Sequence, residues 1–304
     1  MAGGVVMLRR WIAPPLTFAG IMFMFYFWYK VIPLESHFVE WQRDPWNVWQ
    51  IMAAWAIIGG VSCFFMARHI ADWAMKVDRM TSNEDDPDLE KARLALDQAR
   101  HRLKLDKVPE LGVFESEEIN AYIAGPRLQN STLALSRGAL RKLNISDLEI
   151  LISRELLHHR SGDLRALALM QGMLFAFTLY VARMLAFLLG TSLRQTEEEA
   201  TSSQGVEMIV TSALLLVLTF PGALVFWLFS RSSALRADEA VARIFGKSAY
   251  ATFLSNLTPH HPPRSEIFSD VFKLQSQTFP SWLRGLSLQP GLEARVKVMQ
   301  SEVE

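Results

Sequence analysis

The sequence is short of several things. It holds one cysteine, Cys63, in 304 residues. An intrachain disulfide and a cysteine-based zinc cluster are therefore both excluded. Charge is scarce too: Asp, Glu, Lys and Arg make up 20% of the chain, against about 25% in an average soluble domain. Neither sign prevails, because 31 basic residues face 31 acidic ones. That balance leaves no basic footprint, so nucleic acid is not expected as a partner. Low charge combined with 50% hydrophobic residues excludes a disordered chain. No internal repeat is evident.

What is present is apolar, and it is clustered. Residues 11–29, 46–67 and 208–229 carry no charge, and residues 166–190 carry only Arg183. Each stretch is about 19–25 residues, enough for a helix to cross ~30 Å of hydrocarbon. The mean hydropathy of +0.15 agrees with membrane spans. Trp11, Trp28, Tyr29, Trp46 and Trp49 gather near the ends of the first two, as expected of an interfacial belt. Arg9 and Arg10 precede the first stretch, but no small-residue cleavage site follows it, so a retained anchor is expected.

Arg68, Lys76 and Arg79 follow the second stretch, and Arg231 and Arg236 follow the fourth. The only Lys and Arg of the intervening loops are Lys30, Arg43 and Arg194, with Glu197, Glu198 and Glu199 close after the last. The positive-inside rule then predicts a multi-pass protein of the inner (plasma) membrane, with both termini and the soluble domain in the cytoplasm. The lipid bilayer is its first partner. Arg183 falls near the outer end of the third span, where its stem can snorkel. The expected fold class is four transmembrane helices plus a mainly α soluble domain with a small β-sheet. Its organisation is a first transmembrane hairpin at 1–67, the first part of the domain at 68–165, a second hairpin at 166–229, and the rest of the domain at 230–304. The two soluble pieces total about 170 residues, enough for one core.

Within those pieces, residues 81–88 read as a polar linker. Leu89, Ala92, Leu96, Ala99 and Leu103 then recur at spacings of three and four, which predicts an amphipathic helix. Residues 111–114 and 131–135 read as short strands. Ser146 with Glu149 forms a capping-box pattern at the head of a helix that runs through His159. Ser161-Gly162-Asp163 marks a turn after it. On this helix Arg154 and His158 share a face, and Glu155 lies three residues before His158. The pattern is one residue short of His-Glu-x-x-His, in which two imidazoles hold zinc and the Glu acts as general base. Taken alone, the string also suits a solvated helical face with a charge pair.

The surroundings carry more. Asn120-Ala121-Tyr122-Ile123-Ala124-Gly125 is similar to an NAFATG segment. Residues 151–163 keep the register of xLAHExxHxxxGD, with His158 on the second histidine and Gly162-Asp163 on the closing pair. Met170-Gln171-Gly172 follows. Residues 229–246, FSRSSALRADEAVARIFG, resemble FSRxREFxADxxxAxLxG. His261-Pro262-Pro263 resembles a later His-Pro element, and Gln289-Pro290 through Arg295 a second, altered copy. Together these resemble the HtpX-type membrane zinc metalloproteases, a gluzincin-like family, over residues 110–296. The resemblance implies a cytoplasm-facing zinc endopeptidase that removes damaged membrane proteins. It implies zinc held by two helix histidines and a later glutamate, with the helix Glu activating water.

The departures fall on that metal. Arg154 stands at the first histidine position and Ala234 at the ligand glutamate. Glu155 keeps the general-base position and His158 alone keeps a ligand position. Arg has no lone pair to donate and stays protonated. No cofactor is then expected, unless His158, His261 and Asp238 rebuild a zinc site. Asp238 and Asn120 are supporting positions. His159 is expected at the helix end near the membrane, pointing about 100° from His158. Arg154 is expected to replace the metal by pairing with Glu155 or Asp238, since a buried carboxylate needs a partner.

Three functions compete. One is a pseudoprotease of membrane-protein quality control, which binds clients or regulates an active membrane protease. Segments near Asn120 and at 131–135 would offer it a strand edge for an extended peptide. The second is an active zinc endopeptidase with a rebuilt site. The third is a structural subunit of a membrane complex.

Overall fold

The computed structural model describes residues 2–31, 45–79, 87–177, 200–257 and 295. The chain divides into two compact units, Met1–Phe64 with Ala166–Phe226, and Phe65–Arg165 with Trp227–Glu304.

The first unit is helical. It contains α1 (Ala2–Val31) and most of α2 (Pro45–Ala74). Among the described residues, one stretch, Gln50–Ala74, is long and apolar enough to cross a membrane by length and composition. Small residues let its helices touch. A Cβ on Gly59 would collide with the Ala176 methyl, and one on Gly172 with the Gly59 carbonyl. Trp55 Nε1 donates to the Ala176 carbonyl at 3.1 Å across the same seam. Close backbone approach of this kind is how apolar helices gain dispersion contacts in hydrocarbon. The expected third span continues beyond the described residues after 177, and Arg183 lies there.

The second unit has a four-stranded sheet in the order β1-β2-β4-β3. β1 is Asp78–Arg79, β2 Glu110–Phe114, β3 Ala121–Ala124 and β4 Thr132–Ser136. β2 runs parallel to β4, with Leu111 opposite Leu133. β3 runs antiparallel to β4, with Ile123 opposite Leu133. Alternation sorts the side chains. Ala121, Ile123, Leu133 and Leu135 join the main core, whereas Tyr122, Ala124 and Ala134 join Phe114 and Ala71 on the other face. The segment at 131–135 corrects one expectation: β4 is paired on both sides and offers no edge, whereas β3 is an edge strand among the described residues.

Five of the described helices contribute buried residues to the main core. α3 (Pro87–Leu103) buries Leu89, Ala92, Leu96, Ala99 and Leu103, the residues its period selects, together with Ala95. α4 (Arg137–Lys142) starts at Ser136, whose Oγ accepts from the Ala139 and Asn120 amides and donates to the Glu118 carbonyl. α5 (Ile145–Ser161) corrects the cap: its N-cap is Asn144, whose side chain accepts from the Asp147 amide at 2.7 Å. Glu149 is instead buried and takes Arg102 Nε at 2.6 Å. Asparagine wins because the helix starts two residues earlier than the Ser-x-x-Glu pattern indicates. Gly162, at φ 81°, ends α5 in the left-handed conformation that favours glycine. A helix over 163–177 follows. α6 (Ala200–Phe245) and α7 (Lys247–Asn256) follow, and Arg295 is described beyond them. The linker at 81–88 lies mostly outside the described residues.

Candidate functional site

α5 carries Ser153, Arg154, Glu155, His158 and His159, all buried. Its 3.6-residue period turns Arg154 and His158 to one side. α6 meets that side through Ser233 and Asp238, and Ala234 and Ala237 beside them are also buried. Ala234 and Asp238 are four apart and so share a face.

Asp238 is the hub. Its Oδ1 accepts from Arg154 Nε at 2.8 Å, from Arg295 Nη2 at 2.7 Å and from the Tyr250 hydroxyl at 2.8 Å. Its Oδ2 accepts from Arg295 Nε at 2.5 Å. The Tyr250 hydroxyl in turn accepts from Arg295 Nη2 at 3.2 Å. On its other side, Arg154 Nη1 donates to Glu155 Oε1 at 2.5 Å. Arg154 thus bridges two carboxylates. With Glu155 ionised, two guanidiniums balance two carboxylates. His158 stands beside this group, its Nε2 2.7 Å from Ser233 Oγ.

The electrostatics follow from burial and pairing. Burial alone would raise the Asp238 carboxyl, but Arg295 and Arg154 outweigh it and hold it down to about 2. Burial works against the charge on Arg154, yet Asp238 and Glu155 push its affinity for the proton above the ordinary value. Burial pushes the Glu155 carboxyl up, and Arg154 only partly draws it back. Burial, with the Arg154 charge nearby, drives His158 down to about 3. His158 is therefore a neutral imidazole at physiological pH.

His159 lies in the last turn of α5, at the helix end as expected. It is also buried, and its Nε2 lies 3.0 Å from the Gly125 carbonyl, just past β3. A Cβ on Gly125 would lie 2.5 Å from the Asn130 carbonyl oxygen, and its φ of 146° suits glycine. Asn120 is buried ahead of β3, where its amide donates to Ser136 Oγ at 2.9 Å. Below the hub, Asp163 accepts from Arg236 Nη2 at 2.8 Å and Nε at 3.0 Å. The arrangement thus gathers Arg154, Glu155, His158, Ser233 and Asp238, with Ala234 buried one turn before Asp238 on α6. His261 and the His-Pro loop lie outside the described residues. Sequence reasoning did not single out Tyr250, Ser233 or Arg295 for the hub. The pointer to Arg295 was its place at the end of the altered His-Pro copy.

Comparison with known proteins follows the same residues. The profile of peptidase family M48 matches residues 86–276. "Protease HtpX" of Pasteurella multocida (strain Pm70) is 28% identical over 194 residues, which cover 64% of this chain and 66% of that protein. "Protease HtpX homolog" of Methylacidiphilum infernorum is 22% identical over 302 residues, 97% of this chain and 99% of that protein. The chain therefore spans slightly less than two thirds of the first relative. The crystal structure of S. mikatae Ste24p is similar at 15% identity with a TM-score of 0.48, covering 90% of this chain and 63% of that one. The profile spans more than half the chain, including the whole of α5 and the stretch of α6 around Asp238, and on that ground the protein belongs to peptidase family M48, with HtpX proteases among its relatives.

Proposed function

We propose that this chain is a non-catalytic member of its family, a membrane pseudoprotease that binds polypeptide without cutting it. The observation that carries the reading is Arg154, whose guanidinium bridges Asp238 and Glu155 on the helix where the resemblance implies a metal. The donor set does not fit zinc. A catalytic zinc needs three protein ligands and an open position. Arg154 offers a permanent positive charge, Ala234 offers no donor atom, and His158 Nε2 is engaged by Ser233. Among the described residues, no group of three or more His, Cys, Asp or Glu is placed to hold a metal ion.

The rebuilt site fares poorly on the same geometry, because both Asp238 oxygens already serve arginines. Glu155 keeps its place but has no activated water to act on in this reading; its work is to hold Arg154. What remains useful is the edge of β3, where an extended polypeptide can add as a strand. Clients are unfolded or membrane-protein segments, and the setting is membrane-protein quality control, either alone or beside an active membrane protease.

The membrane reading is four spans with both termini and the domain in the cytoplasm. Its support is the apolar stretch Gln50–Ala74 and the outward side chains of the helices. Trp11, Leu16 and Phe23 on α1, and Trp55, Val61 and Phe65 on α2, are exposed. A water-soluble protein rarely leaves so many large apolar groups uncovered.

The test is metal analysis of purified full-length protein with a casein digestion. Less than about 0.1 zinc per chain and no cleavage above the Glu155→Ala control are expected, since zinc sites of this type bind near stoichiometry. Stoichiometric zinc that vanishes in His158→Ala would overturn the reading. The double change Arg154→His with Ala234→Glu is expected to bring zinc back.

A further inference from the structure

The end of α2 that joins the domain has two unlike sides. Arg68, Ala71 and Asp72 face the sheet. Ala71 packs with Phe114, Tyr122 and Ala134. Asp72 accepts from Thr132 Oγ1 of β4 at 3.0 Å, and Arg68 donates to Glu110 of β2. At 100° per residue, Met66, Ile70 and Trp73 lie about 180° around the axis from that side. All three are exposed, and Trp73, at 80%, is the most exposed large apolar side chain among the described residues. His69, also exposed, borders the stripe. The sheet thus takes the side that carries the charges and leaves an apolar side outward, the reverse of an ordinary surface helix.

The length of α2 says what meets that side. Its apolar stretch Gln50–Ala74 has 25 residues, about 37 Å of helix, against ~30 Å of hydrocarbon. The surplus is a little over one turn, and it falls among the lipid headgroups. Trp is enriched in that layer. The stripe is also continuous with Ile51 and Ile58 of the same helix, both exposed. A protein partner fits less well. Three side chains, of which Trp is the largest at up to about 250 Å², fall short of the about 800 Å² per partner of a stable protein interface. Charge does not choose the lipid. The bases Arg68, Lys76 and Arg79 are matched by the acids Asp72, Asp78 and Glu110.

We propose that the last three turns of α2 are a lipid-docking face. Met66, Ile70 and Trp73 lie in the boundary layer of the bilayer and hold the outer face of the sheet against the membrane surface. The partner is a phospholipid surface of either charge, because the contact is apolar. The inference rests on the reading of Gln50–Ala74 as a span and adds where that span stops: at Trp73, with the domain seated directly on the headgroups rather than on a stalk.

The experiment uses the full chain in phosphatidylcholine nanodiscs, with and without phosphatidylglycerol. Cys63→Ser removes the native thiol, and a spin label is placed at Ile58→Cys, Met66→Cys, Ile70→Cys or Trp73→Cys. Asp97→Cys on α3 is the aqueous control. All five labelled positions are exposed, so the fold is expected to tolerate them. Depth is read from the balance of collisions with oxygen and with a water-soluble nickel chelate. Labels at 58, 66, 70 and 73 are expected in lipid, growing shallower by about 10 Å from 66 to 73, the rise of seven helical residues. The profile is expected to be the same in both lipid mixtures. Lipid contact at 58 with 66, 70 and 73 in water would overturn the docking face and leave the span standing. Labels at 66, 70 and 73 shielded from both reagents would overturn it in favour of a protein partner, and spin–spin broadening there would identify a second copy. Contact that appears only with phosphatidylglycerol would overturn the apolar account. All four labels in water would overturn the span as well.

Discussion

Two aspartates of the unit that contains α5 are built alike and placed differently. Asp72 and Asp238 each face two arginines and one hydroxyl. Asp72 Oδ2 accepts from Arg79 Nη2 at 2.9 Å and from Thr132 Oγ1 at 3.0 Å, with Arg68 Nε 3.9 Å away. Asp238 faces Arg154, Arg295 and the Tyr250 hydroxyl. The difference is water. The Arg79 side chain is 45% exposed, whereas those of Arg154 and Arg295 are 2% and 1% exposed. Near solvent, attraction is screened and the pair can separate at little cost. In the interior the charges have given up their hydration, so removing one strands the other. Buried pairs of this sort add little over an apolar core, but they resist being broken.

The comparison can be broken most sharply at Arg154. Arg154→Ala is expected to destabilise the protein by about 3–5 kcal/mol, since it leaves Asp238 and Glu155 short of a partner. Denaturant unfolding at neutral pH reads this, and an unchanged midpoint would remove the idea that the guanidinium holds the site together. Arg154→Lys should recover little, because one ammonium cannot bridge both carboxylates through Nε and Nη1.

Acid comes next in size. His158 stays neutral in the folded state down to about pH 3, whereas an unfolded His takes its proton near 6.5. The unfolded state therefore binds the proton first. The stability that neutral His158 contributes is complete above about pH 6.5 and drains away as pH falls toward 3, at up to about 1.4 kcal/mol per pH unit. His159 is lowered as well, by burial, and acts in the same direction. Asp238, held down to about 2, gives stability that is lost only as pH falls from about 4 toward 2. His158→Gln should flatten the slope between pH 6 and 4 by up to one proton. An unaltered slope would mean that His158 titrates normally.

The smallest effect is expected at the exposed end of the comparison. Arg79→Ala should cost less than about 1 kcal/mol, and that cost should shrink in 1 M salt, while the Arg154→Ala cost should barely respond. Equal salt sensitivity at the two sites would dissolve the distinction.

What the sequence made legible was local. The α3 stripe was readable because five apolar residues keep helical spacing and nothing competes with them. The two strands β2 and β4 were readable from short apolar runs between turns, but their order was not. A parallel β2–β4 pair with β3 added antiparallel outside it is set by contacts far apart in sequence. The cap of α5 was misplaced by two residues, since Ser146 and Asn144 are both good caps and the pattern alone cannot choose. At the site, the pairing of Arg154 with Glu155 is nearly dictated by adjacency. The link to Asp238 spans 84 positions and was legible only through the two long motifs. Tyr250 had no signal at all: a tyrosine on a short helix is ordinary until its hydroxyl is found on a buried carboxylate.

The charge at the centre of this protein travels with the chain. A bound ion has a dissociation constant, so a fold that depends on it answers to the ion's concentration. The Arg154 guanidinium has none. No chelator can strip it, no rival cation can displace it, and a cell starved of zinc does not weaken it. On the function proposed above, the folding of this domain is released from metal supply.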